Sequence, residues 1–231
     1  MYLDAAANNR ASTAYAFFLD GVRKFGWPYK VRSDQGVENV DIAQAMFTVR
    51  GTGCRSFISG KSVHNQRIER LWRDVWLAVT QLYYGVLHDL EEDGLLDITN
   101  SLHLYCVHYT FLPRLKDDLS RFTHGWDNHP IRTEQNMTPN QLWHLGLMQN
   151  PVREPEMSEG IQIDAIDWED SGLTVQEPNQ GIVLPDLDCP LDPESFELLR
   201  LAVQPTASSD SFGRDIYLMC IRHASYLLET R

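Results

Sequence analysis

Two carboxylates, one at the end of a short strand and one on a helix further along, form the pattern in this sequence with the most chemical content. In Val31-Arg32-Ser33-Asp34-Gln35-Gly36-Val37-Glu38-Asn39, Asp34 stands where a strand gives way to a turn and then a helix. Ligands of α/β sheets gather at that edge, because strand ends and helix starts converge there. Alone, the segment is equally ordinary turn chemistry. Further along runs Gly60-Lys61-Ser62-Val63-His64-Asn65-Gln66-Arg67-Ile68-Glu69-Arg70-Leu71-Trp72-Arg73. Asn65, Glu69 and Arg73 are four apart and share one helix face, opposite the apolar stripe. Alone, Glu69 and Arg73 read as a surface ion pair contributing a few tenths of a kcal/mol. Together the segments say more. Glu69 follows Asp34 by 35 positions, across helix, turn, strand and turn. That order can return a helix-borne glutamate to the side of a strand-end aspartate.

The elements that must position these groups are legible from periodicity. Ala14, Phe17, Phe18, Val22 and Phe25 recur at helical spacing over 12–25, with Ser12 as N-cap and Gly26-Trp27-Pro28 as the stop. Met1 to Ala5 is read as a possible strand end, and Tyr29 to Ser33 as a short strand. A second helix is expected over Val37 to Val49, with Val40, Ala43, Met46 and Phe47 on one face. Gly51-Thr52-Gly53 ends it, and Ser56 to Ser59 is a second short strand. From an N-cap at Ser62, Ile68, Leu71, Trp72, Val75, Val79, Leu82 and Val86 fall at steps of three and four, which predicts a long amphipathic helix. Asp89 to Asp97 reads as an acidic loop. Leu102 to Leu119 reads as a helix that Pro113 kinks or breaks. After a polar loop, Thr138 caps a helix with Pro139 at its first position.

Charge is unevenly spread. The net charge is −12. Residues 151–231 hold 5 Lys and Arg against 16 Asp and Glu, a net of −11, whereas residues 1–73 hold 11 against 6, a net of +5. A phosphate backbone would therefore meet the first third. The bland alternative is a set of solvated helix faces. Beyond Pro151 the chain is rich in proline and acid, with helical spacing over Glu194 to Val203 and Ile216 to Leu228. We divide it near Asn150 into 1–150 and 151–231. No apolar run of membrane-spanning length and no secretory leader pattern are present, so an intracellular location and no membrane partner are expected. Cys54, Cys106, Cys189 and Cys220 are widely spaced, which fits a reducing compartment better than a disulfide framework.

The two acid-bearing segments resemble the integrase core of retroviruses and related transposons, whose acids follow a D,D(35)E pattern. The matching stretches are Arg32 to Asn39 and Ser62 to Arg73, with a weaker match at Trp126-Asp127-Asn128-His129-Pro130 and Thr138-Pro139. The resemblance covers about residues 1–145 and is nearest to a eukaryotic, transposon-derived branch. It implies an α/β, RNase H-like core that joins DNA in the nucleus, with two Mg²⁺ ions held by carboxylates. Two such ions about 4 Å apart stabilise the attacking and leaving oxygens of a phosphodiester displacement, and Mg²⁺ prefers hard oxygen ligands. By resemblance Asp34 and Glu69 are the second and third acids and the metal ligands. Asn65 orients the DNA end or the carboxylate, and Lys61, Arg67, Arg70 and Arg73 meet phosphates.

The family's first aspartate sits on the first strand, on the order of 45 residues before the second acid at ordinary element lengths. Here 33 residues precede Asp34. The expected architecture is a partial core without strands one and two, followed by helices and an acidic, mostly irregular C-terminal region. Asp4 is read as a loop or edge residue, and the chain as written is expected to lack strand-transfer activity. A homo-oligomer or another partner could complete the sheet. The competing reading is a non-catalytic, transposon-derived nucleic-acid-binding or scaffold protein. Elsewhere, His103 and His108 beside Cys106 do not make a zinc pattern. Trp72, Trp76, Tyr83 and Tyr84 are read as core residues in preference to base-stacking groups.

Overall fold

The computed structural model describes residues 1–33, 39–51, 55–60, 66–149 and 189–230, with the backbone alone for Gln66 and Arg67. Helix α1 spans Ala11–Phe25 and ends at Gly26, whose φ of 80° lies in the left-handed region that glycine tolerates. Ser12 is not its cap. The N-cap is Arg10, and Asn8 accepts hydrogen bonds from the Arg10 amide at 3.1 Å and the Thr13 hydroxyl at 2.7 Å. No residue of α1 is fully buried. Its apolar side (Phe17, Phe18, Val22, Phe25) lines an open cavity of about 780 Å³ with Trp27 and Trp143.

Strand β1, Val31–Ser33, pairs in parallel with β2, Phe57–Ser59, in the register Val31 to Phe57 and Ser33 to Ser59. Between them runs helix α2, Val40–Arg50, giving a strand–helix–strand unit. Ile42, Ala43, Met46 and Phe47 of α2 are buried with Phe57 of β2, against Tyr15 and Phe18 of α1. Val40, expected on that face, is exposed. Arg50 ties the end of α2 to the approach of β1, donating from Nη2 to the Trp27 carbonyl at 2.8 Å. Met1 to Ala5, read as a possible strand end, has no strand geometry. Asp4 lies in that loop, with its carboxylate 3.4 Å from the Lys116 ammonium.

A second, larger core surrounds one long helix. Helix α3 (Gln66–Val75), a π-helical turn (Trp76–Thr80) and helix α4 (Gln81–Glu92) follow without a break. The expected acidic loop therefore begins later, because Asp89 to Glu92 still belong to α4. Helix α5 runs over Ser101–Asp127, straight through Pro113. Proline removes one backbone bond, but buried Cys106, Val107 and Phe111 on one side and Leu119 on the other hold both halves in the same core. After a single 3₁₀ turn (Arg132–Glu134) comes α6, Pro139–Gln149. Thr138 caps α6 as expected. Its hydroxyl accepts from the Gln141 amide at 3.2 Å, and the Gln141 side chain accepts from the Thr138 amide at 2.9 Å.

The C-terminal region contributes α7 (Pro193–Ala202) and α8 (Arg214–Glu229), where helical spacing was read, and residues 151–188, part of the stretch expected to be irregular, lie outside the described residues. Leu199 of α7 and Ile216, Tyr217, Cys220 and Ala224 of α8 are buried with residues of α3, α4 and α5 in one cluster. Gly213 caps the start of α8 with φ of 98°, and a Cβ there would stand 3.0 Å from the Arg114 side chain and 3.2 Å from Phe111.

Gly213→Ala should therefore lower stability by about 1–3 kcal/mol. Gly85→Ala, inside α4 with no atom within 4 Å of the new Cβ, should leave stability unchanged or raise it by up to about 1 kcal/mol. Urea unfolding of the two variants beside the parent chain checks the sign of each. By the same measurement Thr138→Ala should cost about 1 kcal/mol through loss of the α6 cap.

Candidate DNA-transfer site

The strand–helix–strand unit brings two chain segments out at one edge. In the parallel pair, Ser33 ends β1 opposite Ser59 at the end of β2. The Gly60 amide donates across to the Ser33 carbonyl at 3.2 Å. From Ser33 the sequence continues into Asp34, and from Gly60 into the segment leading to α3. The carboxy-terminal edge of the sheet is thus shared by the two acid-bearing segments, as ligand-binding edges of α/β units are.

Asp34, Lys61, Asn65 and the side chain of Arg67 lie outside the described residues. Glu69, Arg70 and Arg73 are within them. All three are on α3 and exposed, with Glu69 in its first turn and Arg73 in its last. The surface-pair reading of Glu69 and Arg73 is not realised, since no ion pair forms between them. Glu69 is exposed and accepts no hydrogen bond from a described residue. Arg70 and Arg73 likewise have no acidic partner within reach among the described residues.

Among the described residues, no group of three or more His, Cys, Asp or Glu side chains is placed to hold a metal. A pair of carboxylates suits Mg²⁺ all the same. That ion keeps several waters and takes its remaining ligands from one or two acids and a substrate phosphate. Asp4, the acid nearest the start, is occupied with Lys116.

The helix that carries Glu69 is aimed by packing. Val75, Val79, Tyr83 and Leu90 are buried against α5 and α8, and Leu71, Val86 and Leu87 pack beside them. The Tyr83 hydroxyl also donates to the Asp118 carboxylate at 2.6 Å. Burial and that carboxylate push the Tyr83 phenol well above its ordinary range. The π turn inserts one residue, which sets the helix back by roughly 100°. Steps of eight residues across it then behave as steps of seven. Val75 and Tyr83 therefore stay on the inner face together, and Trp76 and Tyr84 stay on the outer one.

That outer face corrects the sequence reading. Tyr83 is a core residue, but Trp72 is 55% exposed, Trp76 41% and Tyr84 59%. Ile68 and Leu82 of the expected apolar stripe are exposed as well. On a helical wheel Trp72 and Trp76 lie to one side of Glu69, three and seven residues from the acid, with Arg73 on its other side. The aromatic side chains thus border the candidate site. The signal that could have revealed them is the phase of Leu71 and Val75, which puts Trp72 on the shoulder of the stripe.

The weaker sequence match has a structural role. Asn128 at the end of α5 accepts from the Asn140 amide of α6 at 3.1 Å and donates to the His124 carbonyl at 2.8 Å. Together with the Thr138–Gln141 cap, it sets the joint between α5 and α6. Phe25 meets Trp143 edge-on at 5.7 Å and carries that joint to α1.

A family model described as an integrase core domain matches residues 1–156, from before α1 to just beyond α6. Searches of curated proteins and of solved structures return no match. The match covers more than half of the chain and includes both acid-bearing segments and the helix that presents Glu69. The chain belongs to the integrase core domain family, and its function is of the integrase- and transposase-like, DNA-related kind.

Proposed function

We propose that this chain binds DNA at the carboxy-terminal edge of its sheet, where Asp34 and Glu69 jointly hold Mg²⁺ against a phosphodiester. The observation that supports the reading is Glu69, exposed on the first turn of a helix that continues into a packed core and followed by exposed Arg70 and Arg73, all three without an ionic partner among the described residues. When bound, the metal neutralises charge that builds on the phosphate oxygens during in-line displacement. The protein's own residues do the remaining work. Asp34 and Glu69 orient the ions, Lys61, Arg67, Arg70 and Arg73 draw in the phosphate backbone, and Asn65, one turn before Glu69, orients the DNA end.

Asp4 is assigned no ligand role because Lys116 engages it. Binding of DNA and metal is the activity proposed for Asp34 and Glu69. The acidic 151–231 segment would repel phosphate, which directs nucleic acid to the basic first third. A nuclear setting follows from a chromosomal substrate.

Binding of a short duplex should weaken steeply as salt rises, since several phosphate contacts release counterions. Mg²⁺ should tighten that binding, and Asp34→Asn or Glu69→Gln should remove the tightening while leaving the metal-free affinity unchanged or slightly raised. Fluorescence anisotropy in Mg²⁺ and in EDTA reads both effects. Equal affinity in the two buffers for the parent chain would leave a metal-independent nucleic-acid-binding protein, the competing reading. Robust strand transfer abolished by either substitution would show that a third ligand is present after all.

A further inference from the structure

We propose that the outer face of α3, the π turn and the start of α4 stacks the unpaired bases of a single-stranded DNA segment beside the candidate metal site. This rests on the DNA-binding reading above and adds the form of DNA that the site takes. Trp72, Trp76 and Tyr84 stand on this face, each more than two-fifths exposed. Tryptophan is rarely left so open, and three large aromatic groups in a row on one helix are a feature to be explained. Trp76 and Tyr84 are held as a unit, with ring centroids 5.6 Å apart and planes tilted by 57°. Tyr84 in turn meets His88 edge-on at 6.0 Å.

Trp72 and Trp76 make no ring contact with each other among the described residues. They are separated by four residues, about 6 Å of helix rise. Both rings therefore lie along the same stretch of the outer face, at a spacing on the scale of the roughly 3.4 Å rise per nucleotide of a stacked strand. The π turn then keeps Tyr84 in line with Trp76, which extends the aromatic ledge along the helix.

Charge points to the same occupant. Arg70 and Arg73 are exposed on α3 without acidic partners among the described residues, and residues 1–73 carry a net charge of +5. Aromatic faces interleaved with cations are how single strands are held without regard to sequence, the rings taking bases and the cations taking phosphates. A duplex hides its base faces and could use the arginines alone. An apolar protein partner would use the rings but gain nothing from Arg70 and Arg73. The ledge begins one turn beyond Glu69, so a strand lying on it would bring an adjoining phosphate toward the acid.

The test uses the full 231-residue chain in EDTA, with a labelled oligo-dT of about 12 nucleotides and a blunt duplex of equal length. Trp72→Ala and Trp76→Ala should each weaken single-strand binding about 5- to 100-fold, with duplex affinity changed by less than about threefold. Trp72→Phe and Trp76→Phe should restore most of the loss, because a ring face is retained. The alanine variants should unfold at a somewhat lower temperature than the parent, since each ring is about half buried, while remaining folded at the temperature of the binding assay, and intact duplex binding confirms that they do. Unchanged single-strand binding in the alanine variants, with duplex binding intact, overturns the ledge and leaves the DNA reading standing. Equal losses for both probes also overturn it. Binding of neither probe by the parent chain removes the DNA reading and the ledge together. Sedimentation distinguishes the remaining case: a self-association lost in Trp72→Ala, with no change in oligonucleotide affinity, would make the face a contact between copies.

Discussion

The burial of one face of the long helix from Gln66 to Glu92 against α5 and α8 is the contact on which the rest of this structure depends. The sheet cannot do this work, since its two strands are three residues each. Val75, Val79, Tyr83 and Leu90 can, because a fully buried side chain of that size contributes about 1.5–3 kcal/mol, several times a surface ion pair. Glu69 lies one to two turns beyond the first of these anchors. Its direction is set by the phase of the packed segment, with no hydrogen bond from a described residue to fix it. A packed scaffold thus presents an exposed acid, which is what the proposed ligand role requires.

The π turn matters for the same reason. A straight α-helix would carry Tyr83 and Leu90 off the line of Val75, and the outer aromatic side chains would drift by the same angle. Inserting one residue restores the phase on both faces. Inner and outer alignments are therefore one constraint. The C-terminal helices belong to this arrangement too, for α8 closes the core behind α5, with Cys106, Tyr217 and Cys220 fully excluded from solvent. The Tyr217 hydroxyl donates to the Leu95 carbonyl at 3.1 Å and thereby fixes the loop that follows α4.

Much of the fold was legible in the sequence because local signals agreed with the tertiary outcome. Gly26 and Gly51 mark the ends of α1 and α2, the Thr138-Pro139 pair starts α6, and the two strands fall where alternation and flanking turns place them. The failures share one cause. Pro113 signalled a kink or a break, and two-sided packing carries the helix past it without a break. Trp72 and Trp76 matched the apolar period but sit on its shoulder, which hydrophobicity alone cannot distinguish from the centre. In the C-terminal region the helical spacing over Glu194 to Val203 and Ile216 to Leu228 did locate α7 and α8, but a local window does not contain α5, so their packing against it was not legible. The family was legible for a different reason: the paired segments around Asp34 and Glu69, 35 positions apart, resemble its motif, and the family model matches the stretch that holds both. The placement of Asp34, Lys61 and Asn65 falls outside the described residues, so the site rests on Glu69 and its helix.

The central claim is that Asp34 and Glu69 share a cation. Localised cleavage by ferrous iron tests it most directly, since Fe²⁺ accepts carboxylate oxygens and, with ascorbate and peroxide, cuts the backbone nearest to where it is bound. The account predicts cuts in two places, around 34 and around 69, competed by Mg²⁺ and both lost in either Asp34→Asn or Glu69→Gln. Cuts confined to one segment, or cuts at 69 that persist in Asp34→Asn, would contradict it.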